Sequence, residues 1–253
     1  MALEQVPPRL GNREIIRTKI FAVEAADFIV QRAREALDTR GEFRVALSGG
    51  NTPRAVYSEM AKCDLPWEKF QFSFGDERCV PPENEKSNFR MANEALFQPA
   101  SVPESSILRM RGEIDPSQGA DEYQGRLDAL AAKRDEKIYH HDLILLGLGD
   151  DGHTASLFPG SKALTEASGW VTANWVEKLQ TFRITLTFPV INHAAEVLFL
   201  VSGPGKAQVL SDVLKPGAKK YPAKSVQPED GRLLWLADRD AASRVLLPTP
   251  PAP

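Results

Sequence analysis

FRVALSGGNTP, residues 43–53, runs from a short apolar stretch through two glycines to a threonine and a proline. Phe43 to Leu47 is strand-like. Gly49 and Gly50 leave the backbone free to bend, and Thr52 before Pro53 reads as a hydroxyl N-cap with proline at the first helical position. One short stretch therefore spells strand, glycine turn and helix start.

The same punctuation recurs along the chain. DLILLGLG (142–149) and AEVLFLVSG (195–203) are continuous apolar runs ending in glycine, not alternations. Such runs suit parallel strands covered on both faces. Upstream, Glu24 to Leu37 places Ala26, Ile29, Val30, Ala33 and Leu37 on one helical face. FQFSFGDER (70–78) reads as another β-run, and SNFRMANEALF (87–97) as a helix capped by Ser87. Residues 116–135 and GPGKAQVLSDVL (203–214) read as helices, and GRLLWLAD (231–238) as a last strand. This alternation predicts an α/β fold, doubly wound, with a mostly parallel sheet sandwiched by helices. No repeat or composition break divides it, so a single domain over 14–247 is expected, with 1–13 and 248–253 as loose tails.

Composition narrows the function. Thirty-one basic against 34 acidic residues leave a net charge of −3 with no basic run, which excludes an electrostatic footprint for nucleic acid. The apolar runs 143–146 and 197–201 are too short to span a bilayer. Glu4 and two prolines stand where a secretory signal needs apolar residues, so a soluble cytoplasmic protein is expected. Cys63 and Cys79 match no metal spacing and read as buried, reduced thiols.

In open α/β sheets ligands sit off the carboxyl ends of strands, which directs attention to the polar stretches there. Ser48, Gly49, Gly50 and Thr52 offer N–H groups and hydroxyls at a helix start, suited to a phosphate; an ordinary capped turn is the alternative. No G-K-[ST] follows, which disfavours a nucleoside triphosphate with magnesium. Asp76, Glu77 and Arg78 crowd the end of a β-run, as a solvated loop or as the lining of a site where an arginine forks to an oxyanion.

Gly147 to Gly152 is a literal G-x-G-x-x-G. A dinucleotide fingerprint needs neutral residues near the pyrophosphate, whereas Asp150 and Asp151 stand here, and Pro159-Gly160 stops any crossover helix. What remains is Asp151-Gly152-His153 at an expected strand-to-helix turn. A carboxylate holding one ring N–H leaves the other imidazole nitrogen to take a proton; a histidine that caps the loop is the alternative. His140 and His141 lie at the amino end of the strand and His193 in an apolar stretch, and no metal triad assembles from these spacings. Arg183 lies in FRITLTFPVI. Lys206, after VSGPG, opposes the dipole of the helix it opens, which points to a ligand phosphate or to a solvated lysine.

Five blocks in order resemble the 6-phosphogluconolactonase family, over about residues 20–240. They are LSGGNTP, FGDERCVPPENEKSNFRMANEALF, LLGLGDDGHTASLFPG, RITLTFPVINHA with FLVSGPGK, and YPAKSVQP before GRLLWLAD. The resemblance implies a fold similar to glucosamine-6-phosphate deaminases and ribose-5-phosphate isomerases. It implies hydrolysis of 6-phospho-D-glucono-1,5-lactone to 6-phosphogluconate in the oxidative pentose phosphate pathway, without metal or cofactor; a monomer is one option, and the sequence leaves the oligomeric state open. By the same resemblance Ser48, Gly49, Gly50 and Thr52 grip the 6-phosphate, closed over by Arg183 and Lys206. His153 is the base, held by Asp151, while Asp76 and Arg78 line the sugar end. Arg78 or a backbone N–H near Gly152 would meet the oxyanion.

Two rivals share that fold. A hexosamine-6-phosphate isomerase–deaminase carries an acidic residue five positions after the histidine, where this chain has Phe158, and lacks the arginine at 78. A non-catalytic sugar-phosphate sensor needs a DNA-binding appendage, which the short tails do not offer.

Overall fold

The computed structural model describes residues 20–215, 217 and 221–245, with the backbone of 4–5 and 13–18. The elements are β1 (Glu4–Gln5), β2 (Arg13–Thr18), α1 (Phe21–Arg40), β3 (Phe43–Leu47), α2 (Asn51–Met60), β4 (Phe70–Phe74), β5 (Asp76–Arg78), α3 (Asn88–Ala92), α4 (Pro116–Ala132), β6 (Leu143–Leu146), β7 (Val171–Val176), β8 (Thr181–Leu186), α5 (Phe188–Ile191), β9 (Glu196–Val201), α6 (Ala207–Leu214) and β10 (Arg232–Asp238). Of the expected tails, Glu4–Gln5 pairs antiparallel with β2 and Arg13 opens that strand. Residues 248–253 lie outside the described residues.

The apolar runs become the inner strands of a sheet in the order β1-β2-β10-β9-β6-β3-β4. Every pairing from β2 to β4 is parallel. Each residue of β3, β6 and β9 is buried, as continuous apolar runs require when helices cover both faces. Trp235 and Phe199, register partners on β10 and β9, stack their rings with centroids 3.8 Å apart. On α1 the buried face is Ala25, Ala26, Ile29, Val30, Ala33 and Ala36, with Leu37 half-buried at its end. Burying Ile29 and Val30 contributes about 1.5–3 kcal/mol each. The small alanines let α1 lie against α2 and β3. The helix stops at Gly41, whose φ of 77° is the left-handed conformation that glycine adopts without a Cβ clash.

Three local expectations are corrected. Thr52 is not the N-cap of α2: the helix begins at Asn51, and Gly50, at φ 111° and ψ 171°, is the cap. Only glycine enters that region readily, so the second glycine of the motif sets the start two residues earlier. No helix follows Asp151-Gly152-His153, because residues 150–160 form consecutive turns with one short Thr154–Leu157 bridge. FQFSFGDER is not one strand. It breaks at Gly75, where β4 leaves the parallel sheet and β5 enters a second, antiparallel sheet ordered β5-β8-β7. Gly75 is held by both sheets: its N–H donates to Leu47 O and its carbonyl accepts from Leu186 N, each at 2.8 Å. The Ser87 cap forms as expected, accepting from Arg90 N at 3.1 Å, and α3 continues as a π-helix over Asn93–Phe97.

Candidate active site

Four loops leave the carboxyl edge of the parallel sheet, after β3, β4, β6 and β9, and the small sheet closes over them. Ser48, Gly49, Asp76, Arg78, His153, Arg183 and Lys206 line one cavity of 330 Å³. Gly50 and Thr52 sit behind it at the start of α2, and Asp151 stands behind His153 rather than in the cavity wall.

The turn after β6 is built to hold one imidazole. Asp151 Oδ1 lies 2.5 Å from His153 Nδ1 and accepts from the main-chain N–H of His153 at 3.2 Å. Burial alone would raise the Asp151 carboxyl, but the His153 hydrogen bond and charge, with Lys178, outweigh it and hold the group below the ordinary carboxylate range. An ionised carboxylate only accepts, so Nδ1 carries a proton and Nε2 is the ring nitrogen left to exchange one. Phe158 stacks on the ring, 3.9 Å between centroids and tilted by 21°. Below it Gly149 donates to His153 O at 2.9 Å, and a Cβ on Gly149 would overlap the imidazole. Gly152, at φ 75°, donates to Gly149 O, and its own carbonyl accepts from Ala223 N at 3.0 Å. The backbone N–H groups of residues 149, 152 and 153 are thus already committed, so a main-chain donor for an oxyanion on this loop would be another N–H, such as those of Thr154 and Ala155 in the cavity lining.

At the other side of the cavity the charges are positive and close together. Arg78 and Arg183 are register partners across β5 and β8. Like charges directly opposite on neighbouring strands repel unless something negative lies between them. Nε of Arg78, Nε of Arg183 and Oγ of Ser48 are shielded from solvent and have no hydrogen-bond partner among the described residues. Burial, followed by the charge of Arg78, pulls Arg183 below the usual arginine range despite Asp76 and Glu77 nearby. Arg78 is braced through Nη1 on Lys86 O. Lys206 does have an anion: its Nζ lies 2.5 Å from Asp150 Oδ1, so the protein supplies part of the charge that its position at the mouth of α6 requires.

Between the two ends, Asp76 is buried and fixed at both oxygens, accepting from Asn88 Nδ2 at 3.1 Å and from Ser156 Oγ at 2.6 Å. Glu77, the next residue on β5, serves the fold. Its carboxylate accepts from the N–H groups of Arg78, Asn88 and Phe89 and from Ser87 Oγ, tying β5 to the first turn of α3. Burial pushes the Glu77 carboxyl up, and those donors only partly counter it. Gly49 must be glycine, since a Cβ would overlap Asn88 Oδ1 and displace the side chain that orients Asp76.

Sequence reasoning missed Ser156, Asn88 and Lys178. Ser156 lies within the quoted DGHTASLFPG block, yet its role shows only once β5 is beside it. Lys178, between β7 and β8, lines the cavity and reaches Asp151 Oδ2 at 3.3 Å; no local motif marks it. The remaining histidines are elsewhere. His141 is fully buried, its Nε2 3.0 Å from Ser73 Oγ, and burial drives its pKa to about 3. His140 and His193 meet edge to face at 5.5 Å, away from the cavity. Cys63 and Cys79 are free but half-buried, not buried as expected. Among the described residues no group of three His, Cys, Asp or Glu side chains could hold a metal ion, and no helix is long and apolar enough to cross a membrane.

Comparison with known proteins shows similarity over most of the chain. Residues 17–235 match the family model for glucosamine-6-phosphate isomerases/6-phosphogluconolactonase. The chain is 40% identical over 234 residues to a 6-phosphogluconolactonase of Synechocystis sp., covering 91% of this chain and 96% of that one. It is 33% identical to a 6-phosphogluconolactonase of Rattus norvegicus, covering 87% and 88%. Among solved structures, the 6-phosphogluconolactonase of Trypanosoma cruzi superposes with a TM-score of 0.81 at 26% identity, covering 98% of this chain and 100% of that one. That of Thermotoga maritima superposes with a TM-score of 0.78 at 27% identity, covering 89% and 98%.

Proposed function

This chain belongs to the glucosamine-6-phosphate isomerase/6-phosphogluconolactonase family, and on that premise we propose that it hydrolyses 6-phospho-D-glucono-1,5-lactone to 6-phospho-D-gluconate in the oxidative pentose phosphate pathway. One observation carries the reading: a carboxylate-held imidazole and a facing pair of arginines with unpartnered Nε atoms line the same small cavity. The first is suited to moving a proton, the second to binding an anion, and the substrate needs both.

The phosphate lies against Ser48, Gly49 and Gly50, where the first N–H groups of α2 and its dipole favour negative charge, with Thr52 in that turn. Arg183 and Lys206 close over it. Arg78, facing Arg183, borders the same end, and Asp76 accepts hydroxyl protons of the sugar between the two ends. His153 Nε2 takes a proton from water as its oxygen bonds to C1. The carbonyl pair moves to oxygen, and when it returns the C1–ring oxygen bond breaks and His153 gives the proton to the departing oxygen. A lactone is an activated ester, so the reaction calls for no metal and no covalent nucleophile. Position 158 is a phenylalanine stacked on the imidazole, so the ring-opening acid of a deaminase has no counterpart there.

The finer expectations belong to the same proposal. One domain over 14–247 acts as a monomer. It acts in the cytoplasm, where two half-buried free thiols stay reduced, on a small molecule and not on nucleic acid.

The test is acid release from freshly generated 6-phosphogluconolactone with and without protein, beside unphosphorylated gluconolactone. Acceleration with preference for the phosphorylated lactone is expected. A rate equal to spontaneous hydrolysis would overturn the assignment.

A further inference from the structure

Hydrolysis creates charge where the substrate has none. The lactone is neutral at C1; water attack makes an oxyanion there, and the product leaves with a carboxylate. A site that lowers this barrier aims a donor or cation at that position. Three of the N–H groups around His153 are committed: Gly152 N to Gly149 O, His153 N to Asp151 and Gly149 N to His153 O. Arg78 faces Arg183 across the strands and is braced on Lys86 O, which keeps it at the anion-binding end. Lys206 is held by Asp150.

Lys178 is different. Among the described residues four cations line the cavity, and Lys178 is the one whose contact is with the residue that holds His153. Asp151 divides its two oxygens, Oδ1 to the imidazole at 2.5 Å and Oδ2 to Lys178 Nζ at 3.3 Å. The side chain is 69% exposed, on a single turn (Glu177–Leu179) between β7 and β8. An exposed ion pair of that kind is weak, and a four-carbon stem turns easily.

Resting on the lactonase reading, we propose that Lys178 is the catalytic cation for C1: held on Asp151 at rest, it swings to the oxyanion and then to the product carboxylate. The move has a second effect. Asp151 loses a neighbouring positive charge as Lys178 leaves, so the carboxylate presses harder on the imidazole proton and His153 becomes a stronger base as water attacks. No atoms are exchanged with Lys178; it stays protonated and supplies charge alone.

The experiment compares wild type, Lys178→Met and Lys178→Arg on 6-phosphogluconolactone and on unphosphorylated gluconolactone, with product inhibition by 6-phosphogluconate and inhibition by inorganic phosphate. Methionine keeps the length and apolar stem without the charge. Lys178→Met is expected to lower kcat about 10²-fold on both lactones, as loss of an oxyanion donor does. Its inhibition constant for 6-phosphogluconate should rise about tenfold, the scale of one charged hydrogen bond, while that for inorganic phosphate stays put. Lys178→Arg should recover part of kcat. Unchanged kcat in Lys178→Met would overturn the proposal. So would an equal loss of affinity for inorganic phosphate, which would place Lys178 at the phosphate. A wild type that never exceeds the spontaneous rate would overturn the lactonase reading and this role with it.

Discussion

Asp151 Oδ1 contacts His153 twice, at the ring Nδ1 and at the main-chain N–H, so one oxygen fixes both the tautomer and the position of the imidazole. A base held in this way is worth about 10²–10⁴-fold in rate. His153→Ala should lower kcat by an amount in that range, read by acid release above the spontaneous background. Asp151→Asn should lose a large share of the same factor, because an amide does not enforce the tautomer. Wild-type kcat in either variant would remove the pair from the mechanism.

Gly149 gives a sharper geometric test. A Cβ there would overlap the His153 ring, yet the residue has no side chain to take part in chemistry. Gly149→Ala should cost kcat nearly as much as loss of the imidazole, with a thermal midpoint close to wild type. Full activity in that variant would mean that the ring need not sit where the structure places it.

The facing arginines predict selectivity. Arg183→Met removes the charge and keeps much of the volume. Losing one charged hydrogen bond of about 1.5–3 kcal/mol should cut kcat/KM for the phosphorylated lactone roughly ten- to a hundredfold. Hydrolysis of unphosphorylated gluconolactone should hold or improve, as the repulsion with Arg78 is relieved. An equal loss on both substrates would place Arg183 at the reacting carbon instead.

Acid stability should depend on His141. Burial holds its folded pKa at about 3, whereas an unfolded imidazole titrates near 6.5. The unfolded chain therefore binds a proton that the folded chain refuses. The contribution is complete above about pH 6.5 and drains away as pH falls toward 3, by up to about 1.4 kcal/mol per unit. Urea midpoints at pH 7.5 and 4.5 should differ less for His141→Phe than for wild type, whatever the cost of the substitution itself. Identical pH slopes would clear His141 of the effect.

How much of this was legible in the sequence depended on how local each signal was. β3, β6 and β9 announce themselves as unbroken apolar runs, because both faces of each strand are buried. The Asp151–His153 pair is also local, two residues apart on a glycine turn. The small sheet was hidden. β8 is buried only in its second half, and the break between β4 and β5 is a lone glycine inside an apolar-looking run. Arg78, Asp76 and Arg183 could be named one by one, but that the two arginines face each other is a fact of register, which spacing along the chain does not carry. Lys178 was missed for the same reason, since 27 residues and a separate sheet divide it from Asp151. Thr52 was misplaced as the cap because a hydroxyl before proline is a common start, and the unusual backbone of Gly50 overrode it.

Gly75 grips Leu47 with its N–H and Leu186 with its carbonyl, which makes it a rivet between two layers that would otherwise slide. Ser48 is one bond beyond the first layer's anchor, Asp76 one bond beyond the rivet, and Arg183 three residues back along the second layer. The ruler that measures the sugar is therefore main chain. Substituting a side chain around the cavity would retune what is gripped, while the span between the grips stays set by a pair of peptide groups that proline alone, lacking an N–H, would delete.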